Sequence, residues 1–113
     1  MTILTKPIPI TDLQTLAKKR FGNLVKAVVD VNREIVAIDA DLHADEEAAL
    51  LAQGSSQSDL WGINLYPDLP ADQMIEFDSM INLRPSAGNM SRGIDDTSLQ
   101  HKIRVIINKL IVQ

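Results

Sequence analysis

The chain contains no cysteine, which removes disulfides, thiolate zinc sites, iron–sulfur clusters and cysteine nucleophiles together. Any metal would have to be held by oxygen or imidazole, and only two histidines are present. Aromatic residues are scarce too, one Trp, one Tyr and two Phe, so the core must be built from aliphatic side chains. No apolar run approaches membrane-spanning length, and the opening Met1-Thr2-Ile3-Leu4-Thr5-Lys6-Pro7 lacks the charged-then-apolar pattern of a secretory leader. The expectation is a cytoplasmic protein with no membrane contact. Positive charge is also short: 11 Lys and Arg against 15 Asp and Glu give a net charge of −4, which argues against a broad nucleic-acid surface.

What the chain does have is one domain's worth of alternating and helical patterns. Its 113 residues, 45% of them apolar, suffice for a single core that buries roughly two-thirds of the unfolded surface. Residues 1–10 carry Pro7 and Pro9 and read as an extended lead-in. Thr11 and Gln14 have capping-box spacing, and Leu13, Leu16, Ala17 and Phe21 recur at helical spacing until Gly22. Two strands, 24–31 and 34–41, follow around an Asn32-Arg33 turn. Their expected register sets Val29 against Val36, Ala27 against Ile38, Val25 against Ala40 and Lys26 against Asp39. A second helix is expected over 44–53, ended by Gly54, and a third strand over Trp61 to Tyr66, broken by Pro67 and Pro70.

The richest pattern is Ile75-Glu-Phe-Asp-Ser-Met-Ile-Asn-Leu-Arg84. Read as a fourth strand, it places Ile75, Phe77, Ile81 and Leu83 on one side and Glu76, Asp78, Asn82 and Arg84 on the other. Pairing with the third strand then sets Leu65 against Phe77, Trp61 against Ile81, Tyr66 beside Glu76 and Asn64 beside Asp78. Finally, Asp95 or Asp96 caps a helix whose Leu99, Ile103, Ile106, Ile107, Leu110 and Ile111 form one apolar stripe. The order helix, hairpin, helix, hairpin, helix predicts a single α+β domain over 1–113. Its four-stranded antiparallel sheet would have helices on one face and the other face open.

Three constellations bear chemistry. On the open sheet face Asn64, Tyr66, Glu76, Asp78, Asn82 and Arg84 combine carboxylates, amides and a guanidinium; the alternative is an ordinary solvated face. Asp39, Asp41 and His43 share a side of an extended strand, an oxygen-and-imidazole set for a divalent cation, although acids there also suit the helix N-terminus that follows. The loop 84–93 contains Gly88, Asn89 and Gly93 between Arg84 and Arg92, and could offer backbone N–H groups to an anion; it lacks the Gly-Lys-Ser/Thr ending of a Walker loop. Met80, apolar on the open face, marks a place for a second copy to bind.

Leu42-His-Ala-Asp-Glu-Glu47, Leu60-Trp-Gly-Ile-Asn-Leu-Tyr-Pro-Asp68, Glu76-Phe-Asp-Ser-Met-Ile-Asn-Leu-Arg-Pro85, Gly88-Asn89 and Ser91-Arg92 together resemble a family of small uncharacterised prokaryotic proteins grouped as a domain of unknown function. The resemblance runs from about Lys26 to the C-terminus and implies no activity. Met90 departs from it, since a basic residue is usual there, which counts against anion binding by this loop.

The leading expectation is a small binding or interaction domain, a homo-oligomer, whose polar sheet face and Arg-flanked loop take a small anionic ligand or a protein partner, with no cofactor. Two rivals stand beside it. One is a metal-dependent hydrolase or nuclease built on Glu76 and Asp78 with His43; the other is a small toxin–antitoxin-type protein, suggested by size and a basic loop beside a sheet.

Overall fold

Runs of β-branched residues dictate the centre of the structure. In the computed structural model, which describes Met1–Gln113, Val25–Asp30 and Ile35–Ile38 are the middle strands of a five-stranded antiparallel sheet. In chain order the elements are β1 (Thr2–Leu4), β2 (Ile8–Pro9), α1 (Ile10–Arg20), β3 (Val25–Asp30), β4 (Ile35–Ile38), α2 (His43–Ala52), β5 (Leu60–Leu65), β6 (Ile75–Glu76), α3 (Thr97–Leu110) and β7 (Ile111–Val112). The sheet runs β1-β4-β3-β5-β6, and β2 and β7 form a small separate parallel pair.

Alternation along the strands sorts the helices. Val25, Ala27 and Val29 of β3 point to the face that also holds Leu13 and Ala17 of α1 and Ile103, Ile106 and Ile107 of α3. Val28 points the other way, into a second cluster with Ile35, Ala37 and Leu60, where Leu50 of α2 is fully buried. Each such Leu or Ile is worth about 1.5–3 kcal/mol against exposure. The expectation of one covered and one open face is therefore corrected: α2 lies over the second face, because Val28, Ala37 and Leu60 make that face apolar as well. The strand count rises from four to five because Thr2–Leu4 of the lead-in pairs with β4 at the sheet edge.

Registers were legible to different degrees. Val29 opposes Val36 and Ala27 opposes Ile38, as expected. The turn is longer than Asn32-Arg33, with pairing ending at Asp30 and Ile35, because the Asp30 carboxylate accepts the N–H groups of Asn32 and Arg33 at 3.0 and 2.9 Å and bends the chain itself. β4 stops at Ile38, since Asp39 adopts φ 68°, so Asp39 does not pair with Lys26. The second hairpin is offset by two residues, with Asn64 opposite Glu76 and Leu65 opposite Ile75, and β6 ends there. The alternation of 75–84 continues in sequence but not in space.

Helix ends show the same mixture. Asp96 caps α3 as expected, its carboxylate accepting from Ser98 and Leu99 N–H at 2.9 and 3.3 Å. The capping box at Thr11 does not form: α1 begins at Ile10 after Pro9, which gives no side-chain cap. No helix is long and apolar enough to cross a membrane.

Candidate functional site

Beyond Glu76 the edge of β5 still presents backbone groups that need partners. Side chains supply them. Asn82, fully buried, uses its amide on Gly62: Nδ2 donates to the Gly62 carbonyl at 2.9 Å, and Oδ1 accepts the Gly62 N–H at 2.8 Å. Arg84 donates from a terminal nitrogen to the Leu60 carbonyl at 2.5 Å and from Nε to the Ile81 carbonyl at 3.1 Å, with its guanidinium 4.7 Å from the Trp61 ring centre. Glu47 stands 3.5 Å from the same guanidinium, an ion contact inside the fold. A glycine at 62 is what permits this approach, since a Cβ there would lie 2.5 Å from Ser79 Cβ. Two expected site residues, Asn82 and Arg84, thus carry the structure of the sheet edge, and they do not join Glu76 and Asp78 on an open face.

The loop 84–93 is likewise filled by its own chain. The Asn89 side chain is buried and donates to the carbonyls of Asn82 and Gly93 at 2.7 and 2.8 Å, while its Oδ1 accepts the Asp95 N–H at 2.8 Å. Asp95 takes the position an external anion was expected to hold, accepting from Ser91 Oγ at 2.7 Å and Met90 N–H at 2.9 Å. Those bonds hold its carboxyl below the usual range, the Ser91 hydroxyl contributing most. The expected nest of free N–H groups is therefore occupied from within.

Polar side chains do converge on the α2 side of the sheet, one row beyond the apolar patch. Lys26 of β3, Asn64 of β5 and Glu76 of β6 lie side by side across three strands. The N-terminus of α2 ends against this row, and residues 78–81 and Arg92 close it, leaving a cleft of about 250 Å³. Its polar lining is Lys26, His43, Asn64, Asp78, Ser79 and Arg92. Arg92 Nε donates to Asp78 at 2.8 Å. Lys26 has no carboxylate partner; its ammonium lies 5.1 Å over the Phe21 ring. Leu42 gives α2 no side-chain cap and its carbonyl takes the Asp45 N–H at 3.1 Å, so the N–H groups of His43 and Ala44 form the open positive end, with Asp45 and Glu46 in the same first turn.

His43 is buried, with Nε2 2.8 Å from the Ile63 carbonyl. A carbonyl only accepts, so Nε2 carries the hydrogen. Burial lowers the pKa of the ring, the nearby Lys26 adds to this, and the Ile63 bond opposes it in part. Asn64 is 8% exposed, and its Oδ1 has no partner. Glu76 accepts from Asn64 Nδ2 at 2.9 Å and from the Tyr66 hydroxyl at 3.1 Å, closing the outer side of the row.

The structure does not bring Asp39, Asp41 and His43 together. Arg20 at the end of α1 holds both acids, at 3.1 and 2.6 Å, while His43 turns to β5. No group of three His, Asp or Glu side chains has the arrangement to hold a metal ion. Of the expected site residues, Asn64, Asp78 and Arg92 share the cleft, Glu76 and Tyr66 flank it, and Asn82, Arg84 and Asn89 do not line it. Lys26 was missed as a site residue. Its signal was present, because alternation from Val28 puts it on the α2 side, and only the misplaced pairing with Asp39 hid it.

Searches of the curated proteins and of the solved structures return no match. Residues 2–110 match the family model described as Protein of unknown function (DUF5674), and the chain belongs to that family.

Proposed function

We propose that the protein binds a small anionic ligand in the cleft at the N-terminus of α2. One observation carries the reading: Lys26, which has no carboxylate partner, the open end of α2 and Arg92 line the same 250 Å³ space. The helix end and the two cations favour negative charge. Asp78 orients Arg92 through Nε and leaves the terminal nitrogens for the ligand. The binding role thereby centres on the row beginning at Lys26, to which the loop 84–93 contributes Arg92, while the loop's own anion position is taken by Asp95.

Thermal unfolding with a panel of phosphates and small carboxylates tests this. A ligand at 100 times its dissociation constant adds about 2.7 kcal/mol, and the gain should disappear in a Lys26→Gln, Arg92→Gln double variant. If no member of the panel stabilises the protein, the cleft is not an anion site.

A further inference from the structure

Two residues of the cleft wall are fixed as acceptors, and while the His43 ring is neutral neither finds a donor in the protein. Asn64 Nδ2 donates to Glu76 Oε1 at 2.9 Å and to the Asp78 carbonyl at 3.3 Å. Both partners only accept, so the amide cannot be reversed, and Oδ1 is left buried and unpaired. His43 is fixed in the same sense, since its bond to the Ile63 carbonyl occupies Nε2 and leaves a lone pair on Nδ1. No protein group donates to that atom. The two side chains stand near enough for a protonated ring to donate to Asn64, a contact that opposes in part the lowering of the His43 pKa by burial, and both residues line the cleft.

A bare anion does not answer this arrangement, because its oxygens would meet acceptors. An ammonium would answer it but would face Lys26 and Arg92. A hydroxyl fits: it donates without charge, beside an anionic group held by the two cations. Resting on the anion reading above, we propose that the ligand is a hydroxylated anion, a phosphate or carboxylate whose neighbouring hydroxyl shares its one hydrogen between Asn64 Oδ1 and His43 Nδ1.

Matched probes separate the two ideas. Calorimetric titration would compare glycerol 3-phosphate with propyl phosphate, and lactate with propionate, the two pairs distinguishing a phosphate from a carboxylate source. The hydroxylated member of at least one pair should bind about ten-fold more tightly, the scale expected from satisfying one buried acceptor. It alone should displace the His43 Nδ1 resonance in a nitrogen-15 spectrum. Arg92→Gln should weaken both members alike and leave their ratio unchanged. Equal affinity within both pairs overturns the hydroxyl inference while the anion reading stands; no binding by any of the four at millimolar concentration removes both.

Discussion

The amide of Asn82 stands opposite Gly62 as a strand residue would, giving the Gly62 carbonyl a donor at 2.9 Å and its N–H an acceptor at 2.8 Å. The same Nδ2 donates to the Arg92 carbonyl at 3.0 Å, so one side chain fastens residues 79–92 to the sheet. Asn82→Ala leaves the buried Gly62 groups without partners, at a cost of about 2–5 kcal/mol. Asn82→Asp should be no better, because a carboxylate would face two carbonyls. Urea unfolding measures both, and a loss under about 1 kcal/mol for Asn82→Ala would contradict the assigned role.

Gly62 is held to its identity by contact rather than by backbone angle. An added Cβ would lie 2.5 Å from Ser79 Cβ, 2.6 Å from Ser79 Oγ and 3.1 Å from Ile81 Cγ1. Gly62→Ala should destabilise by about 1–3 kcal/mol, the range for overpacking. Ser79→Gly removes the two nearest atoms, and also the hydroxyl that caps residues 80–82, so alone it too should destabilise. The double variant should be less damaged than the sum of the two, and strict additivity in the cycle would show that the pair does not meet.

This corner is also where the sequence misled. Ten alternating residues from Ile75 to Arg84 satisfy a strand template, and nothing in their period shows that pairing ends after Glu76. The ending depends on a glycine thirteen or more residues earlier and on an amide that imitates a backbone, which are tertiary facts. Where local chemistry decides the outcome, expectation and structure agree: the apolar stripe of α3 as far as Leu110, with Ile111 passing into β7, the Asp96 cap, and the Val29–Val36 and Ala27–Ile38 pairs. The covering of the second sheet face was visible in part, since Val28, Ala37 and Leu60 are apolar where an open face would be polar. The cleft drew three expected residues, Asn64, Asp78 and Arg92, to one place, and His43 joined them from a different proposal.

Glu46 gives a pH signature of defined sign. It is fully buried on α2, with Oε2 accepting the Ala40 N–H at 3.2 Å and Oε1 unpaired. Burial pushes its carboxyl from the ordinary 4.5 up to about 9. Between those values the folded protein holds a proton that the unfolded chain releases, so stability from this group is full in acid and declines as pH rises toward 9. Glu46→Gln mimics the protonated acid and should gain on the wild type with rising pH, by up to about 1.4 kcal/mol per unit. Denaturant midpoints at pH 6 and pH 8 check this; an unchanged difference between the two proteins would contradict a buried neutral Glu46.

His43 acts in the opposite direction. Its folded pKa lies below the ordinary 6.5, burial being the main cause, so the unfolded chain binds a proton first as pH falls. Stability from the neutral ring is complete above 6.5 and is lost as pH drops through the lower folded value. In that window Glu46 gains what His43 loses, and the wild type should show a shallow dependence from the two opposing terms. His43→Gln, whose amide can still donate toward the Ile63 carbonyl, removes one term and should expose a steady rise in relative stability toward acid. Protonation also converts the cleft's Nδ1 from acceptor to donor, so the preference for a hydroxylated anion should shrink below the folded pKa while charge attraction grows. A nitrogen-15 titration that placed His43 at or above 6.5 would remove both expectations together.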